Sequence, residues 1–123
     1  MTLLAVLVGG ALGAPLRYLT DLWVQSRHDS VLPWGTFTVN VVGSAALGVT
    51  AAALDATAGP EWVLPLVGVG FCGGLTTFST FGFETLRLLE EGSVGAAALA
   101  SVGGVVVGLA ACAGGWYVGG ALV

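Results

Sequence analysis

The sequence predicts an all-α integral membrane protein, a single domain over residues 1–123 with four transmembrane helices, the third broken near mid-span. Three observations carry this reading. The chain is 56% hydrophobic and only 8% charged, with a mean hydropathy of +0.98; a soluble domain carries about 25% charged residues to cover its surface. Four apolar stretches reach the ~20 residues a helix needs to cross a bilayer. One of them contains "GFCGGLTTFSTFGFE", Gly70 to Glu84, in which glycines, hydroxyls and phenylalanines stand where a simple span carries leucine and valine.

The first span runs from Leu3 to Leu22, with Arg17 and Asp21 near its end. Its opening "MTLLAVLVGGALGA" lacks the positive n-region of a signal peptide, and apolar character resumes at once, so it is read as a retained span. The second span runs from about Trp34 to Leu54, the third from Trp62 to about Leu89, and the last from Ser93 to Val123. Short junctions separate them: "VQSRHDSVLP", "DATAGPE" and "EEG". Pro33 and Pro60 fall at junctions, where a missing N–H costs little. Trp23 and Trp34 flank the first junction, while Trp62 and Trp116 belong to the opposite face of a four-span bundle, as aromatic belts require.

Charge excludes several partners. Three arginines, no lysine and seven acids give a net charge of −4. Nucleic acid needs clustered cations, and a polybasic lipid patch is absent. Cys72 and Cys112 both lie in apolar stretches and read as small buried hydrophobes, not as a metal or disulfide framework. The lone histidine, His28, stands in a loop beside Arg27 and Asp29, and no nucleophile has a base near it in sequence, so an enzyme is not expected.

Glycines recur at four-residue spacing: Gly9 and Gly13, Gly70 and Gly74, Gly104 and Gly108, Gly115 and Gly119. Small residues so spaced let helices pack closely in lipid. Four helices alone enclose little room for a solute, so an oligomer is the natural way to complete a pathway.

A few polar groups remain inside the spans, and each must face protein, water or a partner. Thr36, Asn40 and Ser44 share one helix face. Thr36 and Ser44 can bond back to their own helix; the amide of Asn40 cannot be satisfied there. Asn40 is either interhelical glue or a donor lining a polar path. In the third span, Gly73 and Gly74 followed by Thr76 and Thr77 mark an unwinding point. Its carbonyl end suits a cation and its N–H end an anion. Beyond it, Phe78 and Phe81 share a face and alternate with Ser79 and Thr80. Phenyl rings are positive at the edge, so they can meet an anion without trapping it. Arg17 snorkels or attracts anions at a vestibule; Glu84 lies on the face of Phe81 and Thr80, within reach of Arg87. Surface-level pairing is the simpler expectation for both.

Together "GGALGAPLRY", "GTFTVNVVGS" and "GFCGGLTTFSTFGFET" resemble the CrcB/Fluc family of fluoride channels over essentially the whole chain. The resemblance implies an antiparallel, inverted dimer with two fluoride pores, in the cell membrane. It implies a structural Na+ held at the dimer centre by the backbone carbonyls of Gly73 and Thr76. It places Phe78 and Phe81 along the fluoride path with Asn40 as the pore asparagine, Ser79 and Thr80 as the hydroxyl track, and Arg17 and Glu84 at the vestibule. The implied role is passive export of fluoride that entered as HF and dissociated inside, giving fluoride resistance. One departure stands out: family members often carry a tyrosine early in the last span, whereas "SVGAAALASVGGVVVG" has none and Tyr117 comes too late.

Arg27 and Arg87 belong to one side of the bundle, and the middle loop and both termini carry no Arg or Lys. The positive-inside rule then favours a cytoplasmic placement for the first and third loops. A dual-topology homodimer and one half of a heterodimer of oppositely oriented homologues both remain open. A small multidrug-type proton-coupled exporter also has four spans, but it needs an acid near the middle of the first, where this chain has "AVLVGGALG". An accessory subunit that transports nothing accounts for the glycines but not for the Asn40 and Phe78–Phe81 constellation.

Overall fold

The computed structural model describes residues Met1–Val123 and is helical nearly throughout. Helix α1 is Thr2–Gln25, α2 is Trp34–Thr57, α3 covers residues 64–75, α4 is Ser79–Glu90 and α5 is Val94–Leu122. Helices α3 and α4 together make the third span, Leu64–Glu90, so four segments are long and apolar enough to cross a membrane. At ~1.5 Å per residue the 24-residue α1 is about 36 Å long, enough for a ~30 Å hydrocarbon core. The sequence-predicted spans agree with these bounds to within about three residues.

Two stretches depart from α geometry. Leu64–Cys72 winds as a π-helix before the short α turn Gly73–Leu75. Within α5, Leu99–Gly103 is also π-helical. The helix ends follow local chemistry. Ala58 closes α2 in the left-handed region (φ 49°), its N–H on the Leu54 carbonyl. Gly92, at φ +80°, makes the sharp turn between α4 and α5 that a residue with a Cβ would resist. In the first junction the Ser30 N–H donates to His28 Nδ1, and the Arg27 guanidinium lies 4.7 Å from the centre of the Trp23 ring.

Two parallel helix pairs form the body. Helix α1 packs on α3, and α2 packs on α5. Glycine brings the backbones together. A Cβ on Gly9 would collide with the Leu66 carbonyl, and one on Gly70 would stand 2.6 Å from the Val6 carbonyl oxygen. On the other pair, a Cβ on Gly48 would strike the Cys112 carbonyl, one on Gly115 the Ala45 carbonyl, and one on Gly119 would lie 2.6 Å from Val49 O. Lipid is as apolar as leucine, so such close approach, not hydrophobic burial, is what holds membrane helices together. The burial pattern agrees: only 17 of 123 residues are buried, and the apolar ones among them are Val39, Ala52, Cys72, Leu75, Leu88 and Ala97 besides the glycines. Gly104 and Gly108 do not join backbones in this way. Gly104 faces the Phe81 ring, and Gly108 faces the Ser44 hydroxyl.

Candidate functional site

The third span leaves helical geometry at Thr76, whose backbone is extended (φ −80°, ψ 161°), and helix resumes at Ser79. Thr76 still belongs to the preceding turn through its own donors: its N–H and its hydroxyl both reach the Cys72 carbonyl, each at 2.9 Å. The next amide does not continue the ladder. Thr77 N–H, which an unbroken helix would direct at the Gly73 carbonyl, donates instead to Asn40 Oδ1 at 2.7 Å. Asn40 Nδ2 donates back to the Thr77 carbonyl at 3.0 Å. Asn40 therefore replaces, from α2, the intrahelical partners of both backbone groups of one residue, Thr77.

Thr77 organises the restart. Its Oγ1 accepts from the Thr80 N–H at 3.2 Å, capping the first turn of α4. The same oxygen lies 3.3 Å from Ser79 Oγ and 3.2 Å from Thr80 Oγ1, so three hydroxyls form one hydrogen-bonded group. Because the Thr80 amide is taken by Thr77, it does not reach the Thr76 carbonyl. The break thus leaves the last carbonyls of α3 without their helical donors, those of Gly73 and Thr76 among them. That of Thr76 accepts a hydrogen bond from Arg17 Nη1 at 3.1 Å.

The break opens into two cavities. A groove of about 690 Å³ runs between α2, α3, α4 and α5; Thr36, Asn40, Ser44, Thr76, Phe78 and Phe81 are among its lining residues. The Phe78 and Phe81 rings lie 5.8 Å apart, tilted by 32°. Phe78 is 83% exposed within the chain. A second, polar pocket of about 210 Å³ lies between α1, α2 and α4, lined by Arg17, Asp21, Thr36, Thr77 and Thr80 among others. Thr77 and Thr36 belong to both.

The residues singled out from sequence fall into place as follows. Asn40, Ser79, Thr80, Phe78, Phe81, Gly73 and Thr76 all converge on the break or its groove. Thr36 and Ser44 do not bond back to their own helix, although Thr38, Thr50 and Thr57 each do so through a carbonyl four residues earlier. The Ser44 hydroxyl faces Gly108 across the groove, and that of Thr36 lies beside Glu84. Arg17 and Glu84 differ from the surface pairing expected of them. Arg17 is half-buried and turns inward to Thr76, because its position on α1 faces the break on the neighbouring α3. Arg87 pairs with Glu91 one turn further on, at 3.2 Å, and leaves Glu84 without a salt bridge. Glu84 lies beside the Thr36 hydroxyl, with Asp21 and Arg87 close enough to act on its charge, and its Oε2 is buried and unpartnered. Cys72 and Cys112 are free thiols.

Thr77 and Asp21 were not singled out as site residues. A hydroxyl two residues before the new helix is a capping signal, and it was legible for Thr77. Asp21 carries no such signal. Its proximity to the pocket depends on Gly35, where a Cβ would overlap its carboxylate.

Carbonyl oxygens are hard donors suited to an alkali or alkaline-earth cation. Gly73 fits that use, since a Cβ there would meet no atom within 4 Å and nothing in the chain covers it. Two carbonyls alone do not complete the coordination shell of a hard cation, which takes about six oxygens or more.

This construction defines a class: a small polytopic membrane protein whose interrupted span sets polar and aromatic side chains into a largely apolar groove, as channels and transporters do where they contact ions at bilayer depth. The CrcB family profile, described as "CrcB-like protein, Camphor Resistance (CrcB)", matches residues 4–116. The chain belongs to this family and is a multi-pass membrane protein. Among its relatives are proteins named fluoride-specific ion channel FluC 1 from Frankia casuarinae, 53% identical over 118 residues with 92% of both chains covered, and from Streptomyces avermitilis, 52% identical with 95% of both covered. A third, fluoride-specific ion channel FluC from Novosphingobium aromaticivorans, is 43% identical over 106 residues, covering 85% of this chain and 84% of that one.

Proposed function

We propose that this chain is the subunit of a fluoride channel that lets cytoplasmic fluoride leave the cell passively. The observation that carries the reading is the Asn40–Thr77 pair, which holds the third span open beside Phe78 and Phe81. Fluoride is small and strongly hydrated, so a path for it must supply donors close together. Asn40 spends one amide hydrogen on Thr77 and has a second to offer. Ser79, Thr80, Thr36 and Ser44 supply hydroxyls. The Phe78 and Phe81 edges attract an anion without a fixed charge, so that binding stays weak enough for release. No cycle of protonation or energy input is required: fluoride that entered as neutral HF and dissociated inside moves down its own gradient.

The working unit in this reading is two chains in opposite orientations. Phe78 touches Phe81 but is otherwise 83% exposed, Gly73 is uncovered, and the freed carbonyls of one chain do not complete a cation's shell. A second copy would supply two more oxygens and cover the groove. The Gly73 and Thr76 carbonyls would hold a structural Na+, which when bound offsets the carbonyl dipoles at the dimer centre. The separate roles of Phe78, Phe81, Ser79, Thr80, Asn40, Arg17 and Glu84 belong to this same reading.

Liposomes containing only this purified chain, loaded with fluoride and followed with a fluoride electrode, test it. Rapid efflux supports the channel. Folded, dimeric protein that releases no fluoride would overturn self-sufficiency. A heterodimeric alternative is favoured by one observation, the confinement of Arg27 and Arg87 to one side of the bundle. Reporter fusions at the C-terminus separate the two: signal on both membrane faces from the lone chain supports the homodimer, and signal on one face supports a fixed partner.

A further inference from the structure

Arg17 meets the break at the same oxygen that the proposed cation would use. Its Nη1 donates to Thr76 O at 3.1 Å. A carbonyl oxygen has two lone pairs, so one is taken by a guanidinium and one is left. Arg17 forms no ion pair. Asp21 is one turn along α1 and lines the same polar pocket, but its Oδ2 accepts from Gln25 at 2.8 Å and its Oδ1 is buried without a hydrogen-bond partner. The chain's one salt bridge is Arg87–Glu91. A guanidinium with no carboxylate within salt-bridge distance is thus aimed at a backbone oxygen at bilayer depth.

We propose that Arg17 sets the sodium affinity of the Gly73–Thr76 carbonyl site by sharing the Thr76 oxygen with the cation, holding that affinity well below what the carbonyls alone would give. This rests on the reading of those carbonyls as a Na+ site. The physical basis is direct. Donation from Arg17 draws electron density from the Thr76 oxygen, which weakens it as a ligand. Two positive charges on one oxygen are separated by roughly 6 Å, a distance at which their repulsion is substantial in the poorly screened interior of a membrane protein. Asp21 lines the same pocket without forming a salt bridge to Arg17, and the chain's one ion pair lies elsewhere. Arg17 is therefore a positioning residue. It acts through the Thr76 carbonyl and needs no contact with the permeating ion.

The test is a Na+ titration of thermal stability, with the full-length chain in detergent micelles and N-methyl-D-glucamine replacing Na+ at constant ionic strength. The parent protein, Arg17→Gln, Arg17→Met and Arg17→Lys are compared, each checked for oligomeric state by size-exclusion chromatography. The parent is expected to melt higher as Na+ rises, with a definable midpoint. Both neutral variants are expected to reach theirs at about tenfold lower Na+ or less, while Arg17→Lys, which keeps the charge, stays within about threefold of the parent. A parent with a clear midpoint and neutral variants with an equal or higher one would overturn the role of Arg17 and leave the carbonyl site standing. A parent indifferent to Na+ would overturn the carbonyl site and this inference with it.

Discussion

The side-chain amide of Asn40 and the backbone of Thr77 form a closed pair of hydrogen bonds, 2.7 Å from Thr77 N–H to Oδ1 and 3.0 Å from Nδ2 to the Thr77 carbonyl. A residue on α2 thereby supplies what both backbone groups of Thr77 lost when the third span left the helix. Asparagine suits this position because it presents one donor and one acceptor side by side. The expected outcome follows from removing either half. Asn40→Asp keeps the acceptor but sets a carboxylate oxygen against the Thr77 carbonyl; Asn40→Leu removes both bonds. A buried backbone group left unpaired costs on the order of 1–3 kcal/mol. Both variants should still assemble, melt lower in detergent, and conduct fluoride at least tenfold more slowly in liposome efflux. Efflux at the parent rate in both would remove Asn40 from the pathway and from its support.

Thr77 makes a second, separable prediction. Its hydroxyl caps α4 through the Thr80 N–H and links the hydroxyls of Ser79 and Thr80. Thr77→Val keeps shape and branching but loses the cap, which costs on the order of 0.5–2 kcal/mol. Thr77→Ser keeps the oxygen. The melting temperature should therefore fall in Thr77→Val and hold within about a degree or two in Thr77→Ser, with fluoride efflux following the same order. Equal melting in the two would show that the cap contributes nothing.

Phe78 tests the groove itself. It is 83% exposed within the chain, so its ring contributes little to the fold of one subunit. Phe78→Ile retains apolar bulk but removes the positive ring edge. Expression and dimerisation should match the parent, while fluoride efflux drops at least tenfold. Unchanged efflux would place the fluoride path elsewhere.

Much of this was legible in the sequence, for identifiable reasons. Lipid imposes a length and an apolar composition on every span, so the four helices could be read almost to their ends. The break was legible because Gly73, Gly74 and two threonines concentrate at one point where a helix gains nothing from them. Asn40 stood out because no helix satisfies an amide internally. The destination of Arg17 was hidden, since a long side chain near the end of a span reaches the interface or the interior with equal ease, and only the packing of α1 on α3 decides between them. Glu84 was misjudged for a related reason: Arg87 has carboxylates at both i−3 and i+4, and the helix turned it to Glu91. The π-helical turns in α3 and α5 have no local signature, because they depend on which neighbouring helix each stretch must follow.

The glycines separate packing within a subunit from packing between subunits. A Cβ on Gly9 would collide with the Leu66 carbonyl and lie 2.6 Å from Phe71 N, so Gly9→Ala must drive α1 from α3. Overpacking of this kind costs about 1–3 kcal/mol, more than the ~1 kcal/mol that alanine gains over glycine in a helix. Gly114 and Gly73 both have open space where a Cβ would stand. Gly114→Ala should be neutral or slightly stabilising. Gly73→Ala has the same intrinsic benefit and no clash within the chain, so a lone subunit would tolerate it equally well. If a second copy covers Gly73, the two behave differently: Gly73→Ala weakens dimerisation, read as a monomer fraction on dilution in detergent, and Gly114→Ala does not. Identical dilution curves for both variants and the parent would mean that no neighbour approaches Gly73, and the two-chain assembly would have to be built on another face.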